Sequence, residues 1–223
     1  MQVLLGKHWH HLPVNEVVEL LESNVPNGLD IFEVKHRQER FGHNVLTPKK
    51  GRHPVVRFLL QFHNPLLYIL LVASAITFVV EDWVDAVAIF AVVLVNAIFG
   101  FIQESKAEKA IEALARTIST VATVIRTGRT QRISASDLVP GDLVTLQAGD
   151  RVPADLRLVE SRDLQVSESA LTGESLPVQK EASLIVTHDV GLADRKNMAY
   201  TSTLVTYGQA MGVVIAIGDT TEI

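Results

Sequence analysis

Two long apolar runs lie side by side between Phe58 and Gln103, and only the acidic stretch EDWVD at residues 81–85 separates them. Few folds accommodate such a pair. The helices either cross a membrane or lie buried in a soluble core, and the membrane reading suits the length and the lack of charge better. The first run, FLLQFHNPLLYILLVASAITFVV, covers residues 58–80, but its strictly apolar part, Leu66 to Val80, has 15 residues. At about 1.5 Å per residue that spans roughly 22 Å, short of a hydrocarbon core of about 30 Å. Counting from Phe58 supplies the missing length without a fixed charge. Asn64 and Pro65 suit the N-cap and first position of a new helical segment. The expectation is a kinked entry, with Phe58 to His63 near the interface.

The second run, AVAIFAVVLVNAIFGFI, occupies residues 86–102. Three acids around Trp83 suit a short wet turn at headgroup level, so the two runs predict a helical hairpin. Lys49, Lys50, Arg52 and Arg57 precede it, Lys106, Lys109 and Arg116 follow it, and the turn carries no basic residue. The bias of positive charge places both termini in the cytoplasm. Asn96, at mid-membrane depth, is expected to face a helix partner, as packing glue or in transport. Strong helix formers continue in QESKAEKAIEALARTIS. Ala107, Ile111, Leu114 and Ile118 share one helical face, and Glu112 and Arg116 are spaced for an ion pair, which predicts a rigid stalk over 104–118.

Composition agrees with a membrane part beside a soluble part. Hydrophobic residues make up 48% of the 223 residues, and the mean hydropathy is +0.24, with the excess concentrated in 58–103. A net charge of −5 argues against a nucleic-acid partner. The absence of cysteine excludes disulfides and thiolate metal sites. The opening MQVLLGKHWHHLPVNEVV has neither a long apolar run nor a small-residue cleavage site and does not read as a secretory signal. In residues 1–57, Val17, Val18, Leu20 and Leu21 mark an apolar helical stripe. Asp30 and Glu33 form a capping pattern for a helix running to Phe41 and stopping at Gly42. His8, His10 and His11 read as surface or capping histidines more readily than as metal ligands.

From Val121 the pattern changes to β. VATVIR, a TGRT turn and QRIS predict a hairpin. DLVTLQ, ADLRLVE, AYTSTLV and GVVIAIG read as further strands, separated by turn signals at Pro140-Gly141-Asp142, Gly149-Asp150 and Gly208. Together they predict a mostly antiparallel β domain of about 100 residues. Within it, SESALTGESLPV (Ser167 to Val178) holds Glu168 and Glu174 among small and hydroxyl residues. Glu174 has the form of a general base or water-orienting group on a loop. Gly173 lets the backbone approach a bulky partner. Thr172 and Ser175 have hydroxyls that suit a phosphate or a water. A solvated turn with a capping glutamate is the alternative. No dinucleotide fingerprint, phosphate loop, H-E-x-x-H or G-x-S-x-G elbow is present, so Glu174 reads as half of a site.

Several segments resemble the P-type cation-transporting ATPases, in the branch with the calcium and sodium pumps, over almost the whole chain. LTGES at Leu171 to Ser175 is similar to the actuator signature of that family. DLVPGDLV (Asp137 to Val144) and AGDRVPADLRL (Ala148 to Leu158) precede it at the family's spacing. DRKNMAY (Asp194 to Tyr200) and IGDTTEI (Ile217 to Ile223) follow. WHHLPVNEVVELL and RFLLQFHNPLLYILL are similar to the N-terminal segment and first membrane helix, and NAIFGFIQESKAEKAIEAL to the second. Ser167, Ser202 and Ala210 depart from the family, standing where Asp or Asn, glycine and glycine are common.

The resemblance implies an α+β membrane protein. A two-helix transmembrane hairpin (about 58–80 and 86–103, within 58–103) would join through the stalk to a cytoplasmic actuator domain at 119–223. That domain would be a β-sandwich or jelly roll packed with N-terminal helices from 1–57. In such pumps ATP phosphorylates an aspartate in a D-K-T-G sequence, and the actuator glutamate, here Glu174, activates the hydrolytic water. ATP and Mg2+ would bind outside this chain, which contains no D-K-T-G aspartate and is expected to hold neither. The partners implied are the lipid bilayer, the missing pump domains and a transported cation, with calcium preferred and sodium and manganese open. The chain would be an N-terminal portion or truncated product, inactive alone, in a plasma or inner membrane. A membrane-anchored module with regulatory or binding but no catalytic work is the other reading.

Overall fold

The computed structural model describes residues 8–47, 53–117 and 121–222. The chain divides into two compact units, one of Met1–Thr47 with Ser119–Ile223 and one of Pro48–Ile118. Lys49, Lys50 and Arg52 fall outside the described residues, as do the side chains of Ile111, Glu112, Leu114, Arg116 and Ile118.

The described residues of the Pro48–Ile118 unit form three helices: α3 (Pro54–Leu60), α4 (Pro65–Val79) and α5 (Trp83–Thr117). The Asn64 side chain caps α4 by accepting from Leu66 N at 2.9 Å, with Pro65 in the first turn. The chain bends by 77° between α3 and α4, as the Asn-Pro pair leads one to expect. The turn after α4 is shorter than the sequence suggests. α5 begins at Trp83, three residues before the expected start at 86. Asp85 lies in the first turn of α5, where a carboxylate complements the helix dipole. Ala86, Val93 and Ala97 are buried on α5 and Leu67 and Ser74 on α4. Small residues let the helices approach, and Ser74 Oγ donates to Ala86 O at 2.9 Å. Nearer the far end, Gln61 Nε2 donates to Glu104 Oε2 at 2.5 Å, and Arg57 pairs with Glu108. Asn96 is exposed in this chain. Among the described residues one helical segment, Trp83–Ala110, is long and apolar enough to cross a membrane, and α3 with α4 meets that test as a bent pair.

The other unit is built on one antiparallel sheet. Its strands are β1 (Val121–Arg126), β2 (Arg129–Ser134), β3 (Leu143–Gln147), β4 (Asp155–Ser167), β5 (Val178–Gln179), β6 (Met198–Ala199) and β7 (Leu204–Ala216). Their order is β2-β1-β3-β7-β4-β5, with β6 also on β4. Two corrections to the sequence reading concern β7. Gly208, expected to end a strand, lies inside it at φ +76°. A Cβ there would meet Asp163 O at 2.3 Å, so the glycine marks a close crossing where the β4–β7 register shifts. AYTSTLV, expected as one strand, is split by a turn in which Ser202 takes φ 64°. That left-handed backbone is where the family resemblance leads one to expect glycine.

Both faces of the sheet are covered. Val144 and Val214 join a core with Leu156, Leu158, Leu164 and Val166. Leu143, Val213 and Ile215, of opposite parity, pack on Trp9, Val17 and Leu21 of the N-terminal segment. Val17 belongs to α1 (Val14–Leu20), and α2 (Ile31–Phe41) follows. Asp30 caps α2 by accepting from Glu33 N at 2.7 Å, and Gly42 ends it at φ 77°.

Arg157 on β4 ties these layers together. It is 0% exposed, and its guanidinium donates to the carbonyls of Leu158, Ala182, Asn197, Leu12 and Leu184 at 2.8–3.5 Å. Among the described residues no carboxylate pairs with it, and burial pushes its pKa down to about 10. Arg157→Met removes the donor and strands several buried carbonyls, so the chain should lose on the order of 3 kcal/mol in denaturant unfolding. A loss below about 1 kcal/mol would show that these carbonyls find other donors.

Candidate functional site

The loop bearing the TGES sequence leaves the sheet at the end of β4 and returns at β5. The β4–β5 ladder pairs Gln165 with Gln179 and Val166 with Val178. Between them the chain makes one helical turn, α6 (Ser169–Thr172), closed by Gly173 in the left-handed conformation at φ 76°. Nothing lies within 4 Å of a Cβ built on Gly173, so this glycine is there for its backbone and for the open space around it. Glu174, Ser175, Leu176 and Pro177 are all exposed. The Thr172 hydroxyl, expected to be free for a ligand, is occupied within the loop: it donates to Glu168 O at 3.2 Å and accepts from Glu174 N at 3.3 Å. Thr172, Gly173, Glu174 and Ser175 thus lie together at the tip, with the carboxylate of Glu174 in open solvent.

The base of the loop is dry. Glu168 is 1% exposed and Lys180 2%, and their side chains meet at 2.6 Å. Burial pushes the Glu168 carboxyl up and the Lys180 amine down, and each partner's charge opposes that shift in the other. Lys180 Nζ also sits 5.7 Å from the centroid of the buried Tyr200 ring. The sequence shows both charges but not that they meet. The β4–β5 register alone does not reveal it either, since it sets Lys180 opposite Leu164; the two side chains meet by reaching along β4 toward each other.

The match to known families covers the same residues. A model of the P-type ATPase actuator domain matches residues 116–223, and a model of the cation transporter/ATPase N-terminus matches residues 9–77. The chain belongs to the P-type cation-transporting ATPases. It is 51% identical over 214 residues to a probable cation-transporting ATPase of Mycobacterium tuberculosis, covering 96% of this chain and 24% of that protein. A cation-transporting ATPase of Synechocystis is 49% identical over 213 residues, 96% of this chain and 23% of its own length. The calcium-transporting ATPase of Bacillus subtilis is 40% identical over 213 residues, again 96% of this chain and 24% of the relative. The chain therefore spans about a quarter of the length of the curated relatives it matches.

Two further motifs of this P-type ATPase chain prove structural. Asp142 of VPGD is 0% exposed and takes a two-pronged ion pair from Arg126 at 2.8 and 2.6 Å. The neighbouring Gly141 is required because a Cβ there would sit 2.0 Å from Arg37 Nη1, which donates to Leu21 O and Pro140 O and so locks α2 onto this turn. Asp155 of VPAD accepts from Thr201 N and Glu222 N, both at 2.8 Å. The histidines read as surface groups divide. His10 is buried, with Nε2 bonded to His188 O at 3.0 Å, and burial lowers its pKa. Rings of His8 and His11 pack on His188. Among the described residues no group of three or more His, Cys, Asp or Glu is arranged to hold a metal.

Burial, opposed by its two backbone donors, pushes the Asp155 carboxyl up to about 6 from 3.8. An acid raised in the folded state binds its proton there first. Between about pH 4 and 6 the folded chain holds a proton that the unfolded chain lacks, so this site adds stability as pH falls through that window and loses it as pH rises through about 6. The amide resonances of Thr201 and Glu222 should titrate together with a midpoint near pH 6. A shared midpoint near 4 would contradict the burial.

Proposed function

We propose that this chain is the N-terminal part of an ATP-driven cation pump, and that Glu174 activates the water that hydrolyses an aspartyl phosphate carried elsewhere in the pump. The observation that carries the reading is the exposed Glu174 carboxylate, held on a short tip whose base is a buried ion pair. A general base needs reach toward an attacking water and a fixed position. In the reaction, a water oxygen bonds to phosphorus, its proton passes to Glu174, and the bond from phosphorus to the aspartyl oxygen breaks, which releases phosphate. Gly173 adds no side chain where the phosphoryl group would approach. Ser175 has an exposed hydroxyl for the same group, whereas Thr172 shapes the tip.

The remaining assignments follow from this. ATP and Mg2+ would bind to segments of the pump outside this chain. The sheet would close as the β-sandwich or jelly roll of an actuator domain. α3 with α4 would form one bent span and α5 the second, a hairpin with both termini cytoplasmic in a plasma or inner membrane. Asn96 would meet a helix from the rest of the pump. α5, of 35 residues, is about 50 Å long, well beyond a core of about 30 Å. Its polar end would transmit motion between the membrane and the actuator domain. Calcium is the favoured cargo, since the Bacillus subtilis relative is a calcium-transporting ATPase.

In the complete pump, Glu174→Gln should still be phosphorylated by ATP, but the phosphoenzyme should break down roughly 10²-fold or more slowly, the usual contribution of a general base. A wild-type breakdown rate would overturn the role of Glu174. Residues 1–223 alone should form no phosphoenzyme from labelled ATP.

A further inference from the structure

The buried Glu168–Lys180 pair is not needed for folding in the way that the surrounding apolar core is. Two apolar side chains of similar volume would fill the same space without the desolvation cost of two charges. What an ion pair adds is direction. Leu171 of α6 packs on the apolar core beside Tyr200, but the residues after it are held by few contacts. The β4–β5 ladder has only two residue pairs, too few to be rigid alone, and the tip from Gly173 to Pro177 is exposed.

A continuous set of contacts leads from Lys180 to Glu174. The Lys180 backbone is fixed on β4 through Lys180 N, which donates to Leu164 O at 2.8 Å. Its Nζ meets the Glu168 carboxylate at 2.6 Å. The Glu168 carbonyl then accepts from Leu171 N at 2.8 Å, Thr172 N at 3.0 Å and the Thr172 hydroxyl at 3.2 Å. That hydroxyl accepts from Glu174 N at 3.3 Å. Each end of the loop is thereby clamped, and the last bond in the series is to the residue that carries the carboxylate.

We propose that Lys180, through its ion pair with Glu168, is a positioning residue that sets where Glu174 stands when the loop meets its phosphate. The proposal rests on the reading of Glu174 given above. A misplacement of about 1 Å at a reacting group can cost roughly 10²-fold in rate. Lys180 touches neither phosphate nor water and acts only on the loop.

The test uses the complete pump and two readouts, the rates of phosphoenzyme formation and breakdown and the hydrogen exchange of the loop amides. Lys180→Met should slow breakdown roughly 10- to 100-fold and leave formation at the wild-type rate. It should speed exchange at Thr172 to Ser175 while β1 and β3 stay protected. Lys180→Arg, which keeps the pair, should restore most of the rate. If Lys180→Met does not fold, Glu168→Gln is measured in its place, with the same expectations. Wild-type breakdown in Lys180→Met or Glu168→Gln, while Glu174→Gln remains trapped, would overturn the positioning role and leave the Glu174 reading intact. Slowed breakdown accompanied by faster exchange in β1 and β3 would likewise overturn it, because the effect would then be global. Wild-type breakdown in Glu174→Gln would instead remove the reading on which the proposal rests.

Discussion

The guanidinium of Arg157 sits at the centre of the β unit with no counter-ion among the described residues, held by five backbone carbonyls. Those carbonyls come from the N-terminal segment, from β4 itself, from the 182–184 stretch and from Asn197. Burying such a charge is costly; the two terminal nitrogens keep their acceptors only while the segments around them stay in place together, and Nε finds none among the described residues. Asn197 extends the arrangement, its Nδ2 donating to His10 O and Leu184 O at 2.7 and 2.8 Å. β4 thus carries a fixed point near its start at Arg157 and leads, at its end, into Glu168 and the loop. The ordered core and the exposed tip are two ends of one strand.

Features set by neighbours in sequence were legible from the sequence, and features set by distant pairing were not. α2 starts at Ile31 after Asp30 and ends before Gly42 because its caps are local chemistry, and the Asn64-Pro65 break between α3 and α4 was legible for the same reason. The β1–β2 hairpin turns on Thr127 and Gly128, both at positive φ, as two-residue hairpins require. By contrast, Gly208 signals a turn by its type, yet the opposing backbone of Asp163 decides its role. AYTSTLV has strand composition throughout, and only the bond from Ser202 N to Val152 O, at 2.9 Å, shows where it must break. At the site, the TGES sequence was legible as a motif, and the structure places it at an exposed tip. Glu168 and Lys180 were visible as charges, but their burial and their meeting depend on the folded packing around them.

The two units divide the chemistry. The helical unit supplies apolar length and a tight α4–α5 contact lined by Ala86, Val93 and Ala97. The β unit supplies an exposed carboxylate with no acid, base or metal partner among the described residues. A site so incomplete makes sense within a longer machine, and the relatives, about four times as long as the stretch they share with this chain, are consistent with that.

The central claim is that the TGES tip stands open until a phosphoryl group held elsewhere comes to it. The most direct measurement is hydrogen exchange at Thr172 to Ser175 in the complete pump, with and without beryllium fluoride as a mimic of the phosphorylated aspartate. The account predicts markedly slower exchange with the mimic bound than in the free pump, confined to this tip. Equal exchange in the two states would contradict it.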